Sequence, residues 1–271
     1  MMINYNEFIQ ELHKKIKSGD DFYLDLLKTV IDNPSRYCGL FRLSNAKTKL
    51  IQNVTQSNEI KFGDFMEDIV TIYLDKMGYT NLPKDAGTDE DGNRLSVDQL
   101  FIKDNIIYLV EQKIRDDHDS TKKRGQFSNF DKKLRLIKRL YPNNQFIAIM
   151  WFIDSSLVKN KNYYKQQMEN THYENTTLNL YYGEEFFNSL ENGQVVWNEI
   201  LNHLMQLRLD NNNELVYIPD FANSDEMYNA LINLPETYWR KLNSNTEKYE
   251  QLRRELFSNG TNLERARRNR Q

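Results

Sequence analysis

The chain has 271 residues, a formal net charge of -3 at pH 7 and 39% hydrophobic residues. This length predicts one large domain, or one domain with helical additions. The near-neutral balance excludes overall basicity, so any nucleic-acid surface must be local. One cysteine, Cys38, excludes an intramolecular disulfide and a cysteine-based zinc site; it fits a reducing cytoplasm and a packed apolar role.

The N-terminal stretch is polar and lacks the apolar core of a signal peptide. No segment approaches the roughly 20 apolar residues needed to cross a bilayer, so no membrane association is expected. Apolar residues at helical spacing predict four helices before residue 78. They cover residues 5–17, 21–32, 44–57 and 61–77. Residues 80–95 are rich in Gly, Asp and Asn and predict a loop with a short strand near its end.

A β-hairpin is predicted next, with strands over 97–102 and 106–113 joined across 103–105. A helix over 126–140 and a doubly buried strand over 145–153 follow, which is enough chain for a parallel crossover. A further strand over 177–183 precedes helices near 184–190 and 195–208, and 225–271 is helical and increasingly charged.

These elements predict an α/β (α+β) fold with a mixed central sheet flanked by helices. The chain is expected to divide into an N-terminal helical region (1–60), a core (61–208) and a C-terminal helical extension (209–271), packed as one domain.

Three polar side chains converge at the end of the predicted hairpin. Glu111 and Lys113 share one face of their strand because side chains alternate, and Asp98 in the partner strand lies roughly opposite residue 110. Two converging carboxylates form an oxygen site suited to Mg²⁺, which the backbone carbonyl of Gln112 can complete. Lys113 beside such a metal can hold an attacking water or neutralise a phosphate. The alternative is an ordinary surface ion pair at a strand end.

The pattern Asp98, a spacer, then Glu111-Gln112-Lys113 resembles the PD-(D/E)xK nuclease superfamily, most closely its type II restriction endonucleases. The resemblance covers about residues 61–153, and Val97 stands where the family has proline. It implies a restriction-endonuclease-like core in which Asp98 and Glu111 bind Mg²⁺ and Lys113 is the catalytic amine.

The resemblance also suggests a role for the helix that precedes the sheet. Some members place an additional acidic residue there, which implies Glu67 as a third carboxylate near the metal. A solvated helix face is the competing interpretation of Glu67.

A basic segment follows the hairpin and predicts contact with phosphate. Its helix N-terminus favours anions, so DNA held there would lie beside the metal site. Gln126 and Asn129 are candidates to read base edges. The predicted DNA-binding residues are Lys122, Lys123, Arg124, Gln126, Asn129 and Lys133. An ordinary solvated helix face is the alternative.

The acidic cluster 116–119, with His118, is either a second metal site or a loop that orders on DNA.

The function predicted from these features is Mg²⁺-dependent, sequence-specific cleavage of double-stranded DNA by a type II restriction endonuclease. The resemblance implies a homodimer acting on palindromic sites and a cognate DNA methyltransferase in the same system. Two alternatives stay open: a DNA repair or structure-specific nuclease on the same core, and a non-catalytic nucleic-acid-binding protein.

Overall fold

A computed structural model of the chain describes residues 1–16, 19–114, 120–211 and 220–270. They divide into two compact units: Met1–Glu11 with Gly63–Leu207, and Leu12–Phe62 with Arg208–Gln271. The first is called the sheet unit and the second the helical unit. The three-part division expected from the sequence stays a prediction. Within the described residues no helix combines the length and apolar character needed to span a bilayer.

In the part of the chain that the structure describes, four helices precede a run of five strands. Helices and strands then alternate through the last two strands, and the remaining elements are helices. The helices are α1 Tyr5–Lys15, α2 Asp20–Asp32, α3 Pro34–Tyr37, α4 Ala46–Lys76, α5 Ser120–Leu140, α6 Lys161–Glu169, α7 Glu185–Asn188, α8 Gly193–Asp210, α9 Asp225–Ile232, α10 Glu236–Leu242, α11 Glu247–Leu256 and α12 Asn262–Asn269. The strands are β1 Thr80–Asn81, β2 Asp85–Thr88, β3 Arg94–Ser96, β4 Gln99–Lys103, β5 Ile106–Lys113, β6 Gln145–Phe152 and β7 Thr176–Tyr182.

The sheet unit contains a five-stranded mixed sheet in the order β1-β4-β5-β6-β7. β1, β4 and β5 pair antiparallel, whereas β5, β6 and β7 pair parallel. The connection from β5 to β6 runs through α5. The predicted mixed sheet flanked by helices is confirmed, and β5 has the predicted bounds.

Alternation along the buried strands divides the core of the sheet unit between two faces. Ile107 and Leu109 of β5 join a cluster with Phe130 and Leu134 of α5 on one face. On β6 the intervening Trp151 packs against other aromatic rings, including Trp197 of α8 at 6.1 Å between centroids. The sheet is therefore covered on both sides, as a nearly continuous apolar β6 predicts.

The helical unit has its own core. Apolar side chains of α2 and α9, among them Leu27, Val30 and Leu231, form a single buried cluster with residues of α10 to α12. Cys38 lies in this cluster, its Sγ within hydrogen-bonding distance of the Pro34 carbonyl at 3.4 Å, and burial raises its pKa to about 11. The thiol is thus a packed group, as expected.

Several predicted elements have different bounds in the structure. The helices predicted over 44–57 and 61–77 form one continuous α4, since no proline interrupts 46–76 and its glycine is helical. Residues 80–95 contain three short strands rather than one. α5 begins at Ser120, so Lys122, Lys123 and Arg124 lie within its first turns and not in a preceding loop.

Candidate active site

The hairpin of β4 and β5 sets the geometry of the candidate site. Asp104 and Asn105 form its tight turn with φ of 50° and 64°, which fits the right-handed twist of the strands. The ladder pairs Gln99 with Val110. Continued by one residue it places Asp98 opposite Glu111, one position from the pairing expected from the sequence. Asp98 therefore lies on the same face of the sheet as Glu111 and Lys113.

The ammonium group of Lys113 lies close to the carboxylates of both Asp98 and Glu111. Lys113 Nζ lies 2.7 Å from Glu111 Oε1 and 3.3 Å from Asp98 Oδ2. Asp98 Oδ2 also accepts a hydrogen bond from the Gln112 backbone N–H at 2.7 Å. The side chains of Asp98, Glu111 and Lys113 are 15%, 4% and 20% exposed. The structure thus brings these predicted site residues together in a largely buried cluster.

A second ammonium group enters the cluster from α5. Lys133 Nζ lies 2.7 Å from Glu111 Oε2 and 3.9 Å from Asp98 Oδ1. The sequence pattern assigned Lys133 to DNA contact, but its side chain is only 7% exposed and its ammonium group points to the carboxylates. The sequence does contain a signal for the buried position of Lys133. Lys133 has helical spacing with Phe130, Leu134 and Ile137, which form the buried face of the helix.

Burial and the neighbouring charges together shift the pKa values of Asp98, Glu111 and Lys113. Burial acts to raise the pKa of Glu111, but Lys113 and Lys133 outweigh burial and hold that pKa below its usual value. Burial and the neighbouring Glu111 charge raise the pKa of Asp98. Burial acts to lower the pKa of Lys113, but Glu111 and Asp98 raise it overall, so this amine is a stable ammonium ion at neutral pH.

Glu67 lies near the cluster without joining it. It occupies the second half of α4, where burial and the charge of Asp98 raise its pKa to about 7. Over residues 1–16, 19–114, 120–211 and 220–270, no three His, Cys, Asp or Glu side chains are arranged to hold a metal ion. The third carboxylate predicted from the sequence is therefore close enough to interact electrostatically but is not assembled with the other two.

A buried amide that the sequence pattern did not single out connects α4 to the hairpin. Gln99 is fully buried, its Nε2 donates to the Glu67 carbonyl at 2.7 Å, and its Oε1 accepts from Thr71 Oγ1 at 2.7 Å. The signal was available, because Gln99 is a polar residue within an apolar strand. The bridge fixes the helix that carries Glu67 against the strand that follows Asp98.

The predicted DNA-binding residues differ in their surroundings. Lys122 and Arg124 are exposed on the first turns of α5, and Asn129 is half-buried. Lys123 Nζ lies over the Tyr163 ring, 4.8 Å from its centroid, and Gln126 Oε1 accepts from Tyr164 Oη at 2.7 Å. The acidic cluster 116–119 lies outside the described residues.

The geometry fits a divalent cation although three acids are not assembled. Glu111 Oε1 and Asp98 Oδ2 both approach one ammonium ion, so the two oxygens already face a common cation position. Carboxylate oxygens are the ligands that Mg²⁺ prefers.

Comparison with known proteins identifies one family. The chain matches the family described as type II restriction endonuclease, HinfI, over residues 4–88 and 75–208. None of the curated proteins matches it. The two matched segments include β4, β5 and α5 and therefore every residue of the carboxylate cluster. The chain belongs to the HinfI family of type II restriction endonucleases, which implies a site-specific endodeoxyribonuclease that binds DNA.

Proposed function

We propose that the chain cleaves double-stranded DNA by Mg²⁺-dependent hydrolysis at a PD-(D/E)xK site formed by Asp98, Glu111 and Lys113. The observation that carries the proposal is the shared ammonium: Lys113 Nζ lies within 3.3 Å of one oxygen from each carboxylate. One acid from β5, one acid immediately before β4 and one amine thus meet in a single cluster. A surface ion pair does not explain why Glu111 is 4% exposed, because exposed pairs gain little and buried ones need a compensating role.

Asp98 and Glu111 are the residues that would hold Mg²⁺, with the Gln112 carbonyl as a third oxygen. Glu67 would add a further carboxylate, and its pKa near 7 means that it is partly ionised at neutral pH. Bound there, the metal would supply Lewis-acid stabilisation of the charge that develops on the scissile phosphate.

Lys113 has two functions in this scheme. As a stable ammonium ion it donates hydrogen bonds, so it orients a water molecule for attack on phosphorus and balances negative charge on the phosphate. The water loses a proton to solvent as it forms the new bond to phosphorus, and the bond to the 3′ oxygen breaks. The 3′ oxygen takes a proton from solvent and leaves as a hydroxyl group. The Gln112 backbone N–H holds Asp98 in place during this step through its 2.7 Å bond.

The first turns of α5 would hold the DNA backbone against this cluster. Lys122 and Arg124 are exposed there, and the N-terminus of α5 adds a favourable dipole. Lys123 contributes charge from its place over Tyr163. Gln126 and Asn129, between one and three turns into the helix, are the proposed base-reading side chains.

The partners and the location of the protein are part of the same proposal. We place it in the cytoplasm as a homodimer on a two-fold DNA site, since two copies related by a two-fold axis match a palindrome. A methyltransferase of the same system would protect host copies of that site. Sedimentation of the protein with palindromic DNA is expected to give two chains per duplex, and one chain per duplex would contradict the homodimer.

Cleavage of a plasmid with and without Mg²⁺ tests the proposed chemistry. We expect discrete fragments with Mg²⁺ and none with EDTA. Glu111→Ala and Lys113→Ala are each expected to reduce the cleavage rate by about a hundredfold or more while DNA binding is retained, because each removes a group that acts on the reacting phosphate.

Lys165→Ala is the matched control, because Lys165 is 67% exposed on α6 and is expected to leave the rate unchanged. Structure-dependent nicking would favour the repair-type nuclease, and a mobility shift without cleavage would favour a non-catalytic binding protein. Full cleavage by Glu111→Ala would exclude the proposed site.

A further inference from the structure

Lys133 is a buried charged residue with an apolar environment. It lies in the middle of α5, 6% exposed, on the helix face that carries Phe130, Leu134 and Ile137. Those three side chains belong to the core beneath the sheet. A lysine in such a position is costly unless its ammonium group meets an opposite charge. Its burial therefore calls for a specific partner.

That partner is Glu111, which has a different ammonium ion on each oxygen. Lys133 Nζ lies 2.7 Å from Oε2, and Lys113 Nζ lies 2.7 Å from Oε1. β5 supplies one cation and α5 supplies the other. Charge-assisted hydrogen bonds of this length are strong and directional, so the carboxylate plane of Glu111 is fixed from two sides.

The same arrangement divides the carboxylate oxygens into two pairs. Glu111 Oε1 and Asp98 Oδ2 both approach Lys113, at 2.7 and 3.3 Å. Glu111 Oε2 and Asp98 Oδ1 both approach Lys133, at 2.7 and 3.9 Å. Lys133 thus occupies the side of the carboxylates that faces α5 and the core, and the other pair of oxygens converges at the strand ends.

The cluster also has balanced charge. Two carboxylates and two ammonium ions sum to zero, whereas the same site without Lys133 would carry one net negative charge. A divalent cation is attracted less strongly to a neutral cluster than to an anionic one, and the difference is large where burial limits screening. Lys133 therefore weakens cation binding while it fixes the orientation of the ligand.

We propose that Lys133 is a positioning residue that aims Glu111 for catalysis and lowers the affinity of the site for divalent cations. This proposal rests on the proposed function, in which Glu111 is a metal ligand. Lys133 holds Oε2 against α5 and leaves Oε1 directed at Asp98. The sequence pattern of acid, acid and one lysine is thereby completed by a second lysine from the helix.

Lys133→Met tests the proposal, since methionine keeps an unbranched apolar side chain and removes the charge. Ca²⁺ is used as a probe by calorimetry in the absence of turnover, and cleavage is measured in single turnover at saturating Mg²⁺. We expect Ca²⁺ to bind at least fivefold more tightly and cleavage to slow at least tenfold per folded molecule. Unchanged Ca²⁺ affinity, or a rate within threefold of the original, would overturn the proposal.

Lys132→Met is the matched control. Lys132 is the next residue of α5, but its side chain is 40% exposed and pairs with Asp89 and Asp91. This variant is expected to leave both the Ca²⁺ affinity and the single-turnover rate within twofold. A purely structural role for Lys133 would lower the melting temperature of Lys133→Met without moving either quantity.

If the methionine variant does not fold, Lys133→Gln tests the same proposal, because the glutamine amide keeps a hydrogen-bond donor for Glu111 but carries no charge. Tighter Ca²⁺ binding is again expected, and unchanged binding contradicts the proposal. Glu111→Gln separates this proposal from the parent one: it is expected to lose both Ca²⁺ binding and cleavage. If Glu111→Gln binds and cleaves normally, the proposed metal site itself is wrong.

Discussion

At the scale of single residues, the backbone and the side chain of Gln112 have different roles. Its N–H donates to Asp98 Oδ2 at 2.7 Å and so helps to orient a site residue. Its side chain points to the opposite face of the sheet and is buried, and among the described residues neither Oε1 nor Nε2 has a hydrogen-bond partner. A buried amide without partners opposes folding.

Gln112→Met is therefore expected to raise stability by about 1 kcal/mol, since it removes an unsatisfied amide from an apolar environment and keeps the volume similar. Plasmid cleavage is expected to stay within threefold, because the backbone groups of residue 112 are unchanged. Urea unfolding and the cleavage assay measure the two effects. A destabilised variant would show that the side chain is hydrogen-bonded in solution.

At the scale of elements, α4 shows how one long helix forms where the sequence pattern predicted two. Its 31 residues contain one glycine, Gly63, which has helical backbone angles. A methyl group added at Gly63 would lie 3.6 Å from Ile114 Cδ1, an ordinary van der Waals contact. Glycine in a helix interior loses more conformational entropy on folding than alanine.

Gly63→Ala is expected to stabilise the protein by about 0.5–1 kcal/mol, as in other helix interiors. Gly87→Ala is the contrasting control, because Gly87 in β2 has φ of +90°, where a side chain is strained although space is open. That variant is expected to be destabilised. Thermal melting of both proteins compares them, and a loss of stability in Gly63→Ala would argue against a continuous α4 at this position.

At the scale of the sheet unit as a whole, one buried carboxylate joins segments that are far apart in sequence. Glu199 of α8 accepts hydrogen bonds from the backbone N–H groups of Met2 and Ile3 at 2.8–2.9 Å and from Tyr73 Oη at 3.0 Å. Burial acts to raise the pKa of Glu199, but these donors outweigh burial and hold it below its usual value of 4.5. The ionised form thus stabilises the fold.

Because the folded pKa of Glu199 is depressed, its contribution to stability is complete above about pH 5 and is lost as the pH falls through 4.5 toward the folded value. Glu199→Gln is expected to lower stability at pH 7 by about 1–3 kcal/mol and to flatten the acid side of the stability curve. Urea unfolding at about five pH values between pH 3 and 7 measures both the stability and its dependence on pH. Glu90→Gln, at an exposed turn, is the control, and identical pH curves for both variants would contradict the assignment.

The sequence alone predicts the elements that carry the site more accurately than the site itself. β5 has the bounds predicted from the sequence, and Asp98, Glu111 and Lys113 do meet. The cations that flank Lys133 in the sequence favour the DNA side, whereas its helical spacing favours the buried face of α5. Only its charged partner, Glu111, comes from a distant element. The polarity of Gln99 in an apolar strand indicates a buried hydrogen-bonded amide, but its partners Glu67 and Thr71 come from α4 and are not evident from the strand alone.

The hairpin, the crossover through α5 and the acid-acid-lysine pattern can all be predicted from the sequence, because alternation and turn propensity are local and a strand face follows from residue parity. Three features depend on the folded chain: a second ammonium ion completes the cluster, Glu67 lies near the cluster without joining it, and Glu199 accepts hydrogen bonds from the backbone of Met2 and Ile3. Periodicity can assign Lys133 to a buried helix face, but it does not identify the partner. The groups that meet are 22 or more residues apart in the sequence, and the packing of the elements sets which of them come together.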